Sequence, residues 1–128
     1  MGWNIVPDGL REMLLWIQNR HDNPLLFITE NGSSFHEPQD VSPVNDIKRQ
    51  SFIKNHLLAA SEAIQSKDIR LSGYFVWSLM DNFEWQFGYQ RRFGIIRVDY
   101  DTLARIPKGS AMLYRDIIRF NQQGEKIP

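Results

Sequence analysis

A chain of 128 residues is long enough for one modest domain with a core, and 42% hydrophobic with 23% charged residues is ordinary for a globular protein. Fifteen basic and fifteen acidic residues cancel, which removes the electrostatic case for nucleic acid or an anionic membrane as a partner. No apolar run approaches the roughly 20 residues of a membrane span, and there is no cysteine for a disulfide or a thiolate metal site.

Met1-Gly2-Trp3-Asn4 lacks the basic stretch and apolar core of a signal peptide, so a cytoplasmic location is expected. From Pro7 to His21 the chain reads as a helix. Pro7 suits a first-turn position, Asp8 is favourable in the same turn, and Leu10, Leu14 and Ile17 recur at helical spacing. Leu25–Thr29 reads as a buried strand, entered through Asn23-Pro24 and stopped by Asn31-Gly32. Residues 31–45 form a long polar loop with two prolines. A second helix is expected from about Asp46 to Lys67, capped by Asn45 or Ser42, with Ile53, Leu57, Ala60 and Ile64 on one face. Leu71–Ser78 reads as a second buried strand, followed by a glycine-rich and aromatic loop to about Arg92. Residues 95–100 and 104–107 suggest a hairpin, and Ser110–Asn121 a last helix with Leu113, Ile117 and Phe120 inward.

Strands that alternate with helices argue for parallel βα units. Two strands with helices on one side make a poor free-standing domain, because a parallel sheet wants both faces covered and apolar edges invite pairing. The pattern is that of part of a larger α/β structure.

Glu30 is the first candidate for chemistry. It follows a buried strand, Asn31-Gly32 permits a sharp turn beside it, and a carboxylate on a rigid element can be held accurately. The bland reading of such a residue is a solvated strand-end carboxylate. A second cluster changes the balance. Eight of the sixteen aromatics fall within residues 74–93, interleaved with Asp81, Asn82, Glu84, Gln86 and Gly88, which is more polar than a core stretch requires.

Ile28-Thr29-Glu30-Asn31-Gly32 and Trp77-Ser78-Leu79-Met80-Asp81-Asn82-Phe83-Glu84-Trp85, in this order and at this separation, resemble the retaining β-glycosidases of glycoside hydrolase family 1, the β-glucosidase family. The likeness extends through Gly2-Trp3, Pro7-Asp8-Gly9-Leu10, Gly73-Tyr74-Phe75, Arg92-Phe93-Gly94-Ile95 and Val98-Asp99-Tyr100, and so over essentially the whole chain. It implies the C-terminal part of a (β/α)8 TIM barrel, about strands seven and eight with flanking helices, in an incomplete barrel, with residues 1–128 a fragment of one catalytic domain. By the same resemblance Glu30 matches the catalytic nucleophile, Glu84 the glutamate that accepts hydrogen bonds from two sugar hydroxyls, Trp85 a neighbouring indole donor, and Trp77 the platform under the sugar ring. Trp3 matches a tryptophan after strand six that flanks the aglycone, and Phe93 an aromatic near the glycone. A β-glucoside or β-galactoside is the implied substrate, and no cofactor or metal is expected.

Simpler readings stand beside these. Trp77 and Trp85 could be core aromatics, and Glu84 could pair with Arg91 or Arg92. Trp16 reads as packing. His21, His36 and His56 show no metal spacing. Asp81 and Asn82 read as residues that hold the loop.

A retaining glycosidase needs a second carboxyl group, about 5–5.5 Å from the nucleophile, to protonate the leaving oxygen. The family carries it in an Asn-Glu-Pro motif, which this sequence does not contain. His36-Glu37-Pro38 is a poor substitute, since it follows the nucleophile by only seven residues and has no strand of its own. A full barrel takes about 250 residues. The expectation is therefore a truncated piece, inactive alone, with a non-catalytic sugar-binding fragment or one half of a split enzyme as alternatives. A missing N-terminal half of the barrel is the partner the last reading implies.

Overall fold

The computed structural model describes residues 2–37 and 44–124. In chain order it contains α1 (Pro7–Arg20), β1 (Leu26–Asn31), α2 (Ile47–Lys67), β2 (Leu71–Val76), a one-turn 3-10 helix (Trp85–Phe87), β3 (Ile96–Val98), β4 (Arg105–Pro107) and α3 (Gly109–Gln122).

Pro7 starts α1, with Asp8 in the first turn and Arg20 in the last, as the helix dipole favours. Asp22 and Asn23 take positive φ, at 56° and 50°, to turn the chain into β1. Asp68 ends α2 in the left-handed region at φ 53°, and its carbonyl accepts from the Asn23 side chain at 3.1 Å. The two helix-to-strand turns are thus tied together where the strands begin.

β1 and β2 pair in parallel, with Leu26 opposite Leu71, Ile28 opposite Tyr74 and Asn31 opposite Val76. β3 and β4 form a separate antiparallel pair, as the sequence suggests. A parallel bridge from Met80 to Ile96 joins β3 to the chain beyond β2. One face of the β1–β2 pair carries the core: Ile28 packs with Leu14 of α1 and Ala60 and Ala63 of α2. A second cluster joins Phe52 and Ile53 of α2 to Ile95, with Val76 and Tyr114 around it. His56 sits within this layer. Its ring stacks on Phe52 at 3.9 Å and Nδ1 donates to the Phe52 carbonyl at 2.8 Å. Burial lowers its pKa, so the neutral imidazole is favoured. On the opposite face Phe27 and Phe75 are more than half exposed, the uncovered side that two strands with one-sided helices imply.

Several expectations shift. The first strand runs two residues further than read, to Asn31, because the Trp77 amide donates to the Asn31 carbonyl at 2.9 Å and keeps the ladder going. Glu30 lies within the strand rather than just beyond it. The second strand ends at Val76, two residues early. α2 is preceded by Asp46 rather than Asn45, whose side chain accepts from Gln50 instead; Ser42 lies outside the described residues. Ile64, the last member of the one-face pattern, is 40% exposed. Trp16 is exposed, with Arg20 over its ring at 5.8 Å, and does not pack in the core.

Candidate active site

The candidate site lies where the two parallel strands end. Glu30 is exposed near the end of β1, and Trp77 follows β2 directly, 37% exposed. The backbones converge here, since a Cβ on Gly32 would lie 1.7 Å from the Trp77 carbonyl oxygen. Only glycine allows that approach. Tyr74 tightens the junction by donating its hydroxyl proton to Asn31 Oδ1 at 2.7 Å. Burial, with Tyr114 nearby, raises the pKa of that phenol, which keeps it a donor.

From Trp77 the chain passes through a cis Trp77–Ser78 peptide bond. The Ser78 hydroxyl donates to the Met80 carbonyl at 2.8 Å. Glu84 then begins a tight turn, its amide donating to the Gly88 carbonyl at 2.7 Å while its carbonyl accepts from Phe87 at 2.8 Å. The turn holds Trp85 at φ 40°, an uncommon conformation for a bulky residue, and leaves it 83% exposed. Trp85 is therefore no core residue. Neither Glu30 nor Glu84 forms an ion pair among the described residues, and Arg92 pairs with Asp81 rather than Glu84.

Phe93 is buried, 2% exposed, with the Trp3 ring 6.3 Å away and tilted by 50°. These two residues, distant in sequence, are brought together, Phe93 as a floor and Trp3, 58% exposed, as its cover.

Behind the open strand ends lies a buried charge network that the sequence did not reveal. Asp81 accepts from Arg92 at 2.8 Å, from Lys108 at 3.0 Å and from the Gly94 amide at 3.0 Å. Lys108 also donates to Glu37 at 2.8 Å. Arg49 pairs with Glu37 and, at 2.6 Å, with Asp46, and reaches the Arg92 carbonyl at 2.7 Å. Asp46 in turn accepts from the Ser110 amide at 2.8 Å and its hydroxyl at 2.6 Å, which satisfies the start of α3. Burial, with Arg49 nearby, lowers the Lys108 pKa against the opposing pull of two carboxylates. Asp81 holds the loop, as read; Glu37 is engaged in this network and is not presented as an acid. The i, i+3 spacing of Asp46 and Arg49 was the one available signal, and that spacing is common on solvated helices.

The arrangement offers one exposed carboxylate on a strand, a half-buried one at a tight turn, and two indoles in the loop that carries the latter. Carboxylates accept hydrogen bonds from paired hydroxyls, and aromatic faces meet apolar C–H surface.

The model of glycosyl hydrolase family 1 matches residues 1–123. β-Glucosidase A of Thermotoga maritima is 43% identical over 122 residues, which cover 94% of this chain and 27% of that protein. Thermostable β-glucosidase B of Thermobispora bispora is 47% identical over 116 residues, 90% of this chain and 24% of that protein. The structure of the family 1 β-glucosidase from Thermotoga maritima in complex with isofagomine lactam superposes with a TM-score of 0.89, covering 94% of this chain and 28% of that one. The chain thus spans about a quarter of the length of the curated relatives it matches, and a partial (β/α)8 barrel is consistent with that fit. On these matches the chain belongs to glycosyl hydrolase family 1.

Proposed function

We propose that this chain carries the nucleophile and the glycone-binding half of a retaining β-glucosidase site, with β1 and β2 as strands seven and eight of the barrel. Glu30 attacks the anomeric carbon as the glycosidic C–O bond breaks, giving a covalent glycosyl-enzyme and a leaving oxygen that takes a proton. Water then displaces Glu30 and releases a terminal β-D-glucosyl or galactosyl residue. Glu84 grips two hydroxyls, Trp85 donates to the glycone, and Trp77 stacks beneath it. Trp3 flanks the pocket, while Phe93, expected from the sequence to lie near the glycone, is buried beneath Trp3 and supports it. The carrying observation is the parallel register that sets Glu30 and Trp77 at the C-terminal ends of adjacent strands, the end at which barrel enzymes place their catalytic residues.

The proton for the leaving oxygen has no source in this sequence, which contains no Asn-Glu-Pro. The 128-residue chain alone should therefore show negligible hydrolysis of an aryl β-glucoside. Added strands that carry such a glutamate should restore hydrolysis, and Glu30→Gln should abolish it. A fluorosugar with a dinitrophenolate leaving group needs no acid for departure, so it should label Glu30 in the completed protein, as read by peptide mass spectrometry. Hydrolysis by the chain alone, or a label on another residue, contradicts the proposal.

A second reading, a sugar-binding piece without turnover, is favoured by the grouping of Trp77, Glu84 and Trp85 in one short segment. Saturable binding of gluconolactone by the chain alone supports it. The exposed Phe27 and Phe75 favour a third, half of a split enzyme completed by a chain with the preceding strands; co-purification with such a half tests it.

A further inference from the structure

The loops that follow β1 and β2 carry no direct ion pair to each other among the described residues, yet each sends one buried carboxylate to the same ammonium group. Glu37 comes from the first loop and Asp81 from the second, and both bond Lys108, which is fully buried at the start of α3. We propose that Lys108 is a positioning residue, whose charge couples the two loops and so holds the segment bearing Glu84 and Trp85 in register with Glu30.

The geometry favours coupling over simple packing. A buried ammonium is costly, and apolar residues of similar volume often serve stability as well or better. What an apolar side chain cannot do is draw two carboxylates from different loops to one point. Lys108 can, because its three donors are free to rotate. Its backbone is fixed as well: the Lys108 amide donates to the Ile95 carbonyl at 2.9 Å, and its carbonyl accepts from the Ala111 amide at 3.0 Å. From Asp81 the constraint passes to the far end of the aromatic loop. Oδ1 accepts from the Gly94 amide, and Oδ2 accepts from Arg92, which also donates to the Val98 carbonyl at 2.8 Å. Gly94 has no room to yield, since a Cβ there would lie 2.1 Å from the Asp81 amide nitrogen. Both ends of the segment 81–94 are therefore clamped at one carboxylate, and that carboxylate is held by Lys108.

A second route leads from Glu37 through Arg49 to the Arg92 carbonyl, and the test must separate the two. The importance of the coupling for sugar rests on the proposed site, but the coupling itself can be read without sugar, so failure of one is distinguishable from failure of the other. Hydrogen exchange of the Gly94 amide in the full chain is the readout. Glu37→Gln weakens the Lys108 pairing without touching Asp81. It should speed exchange at Gly94 by about tenfold or more, with the amides of α1 unchanged. In a Lys108→Met background the same substitution should add nothing further. In an Arg49→Gln background its effect should persist, and this arm decides the matter if Lys108→Met fails to fold. An effect of Glu37→Gln confined to residues 32–37 and α2 overturns the proposal. So does an equal rise throughout α1, which marks a loss of global stability, or loss of the effect in Arg49→Gln.

Discussion

Two groups of carboxylates in this chain are treated in opposite ways. Glu37, Asp46 and Asp81 are buried and each meets at least two donors. Glu30 near the end of β1 and Glu84 at the tight turn beyond β2 have no ion pair among the described residues, and Trp85 beside Glu84 is 83% exposed. Burying a carboxylate requires that its lone pairs be satisfied. A carboxylate that is to receive a ligand must leave them open. The closed group is tied into the fold, whereas the open group keeps its lone pairs free of ion pairs.

The largest expected effect falls on the closed group. Asp46→Ala leaves Arg49 short of a partner and removes both acceptors from the start of α3, so it should destabilise the fold by about 3–5 kcal/mol in urea unfolding. A cost near zero would mean that the network is ornamental and the contrast false. At the boundary between the groups, Gly32→Ala forces a methyl group against the Trp77 carbonyl. It should cost about 1–3 kcal/mol and spread the strand ends, seen as a shift in tryptophan emission. The smallest effect on stability belongs to the open group. Trp85→Ala should stay within about 0.5 kcal/mol of the parent while removing sugar binding, if the proposed site is right. A large loss of stability there would return Trp85 to a structural role.

The helices were legible because their signals are local. Pro7 and Asp8 mark the start of α1, and the spacing of Leu10, Leu14 and Ile17 gives its inward side. Strand lengths were read less well. The ends of β1 and β2 depend on which residues pair across the ladder, and Asn31 joins only because the Trp77 amide reaches it. The candidate site was legible through a resemblance between motifs rather than through any physical pattern in them. Taken alone, Glu30 is an acidic residue after an apolar run.

Composition and periodicity by themselves determined an α/β chain of parallel units with one face of its sheet uncovered, and the motifs determined its family. The tertiary structure decided how the residues are used. It closed the gap at Gly32 so that two strand ends meet, sank Phe93 beneath Trp3, and turned Trp85 outward at a positive φ. It also gathered Glu37, Asp46, Arg49, Asp81, Arg92 and Lys108 into one buried network. No local pattern announces such a network, because a charge in sequence looks the same whether its partner is water or a residue seventy positions away; only the packing of α3 against both loops supplies the burial that makes pairing obligatory.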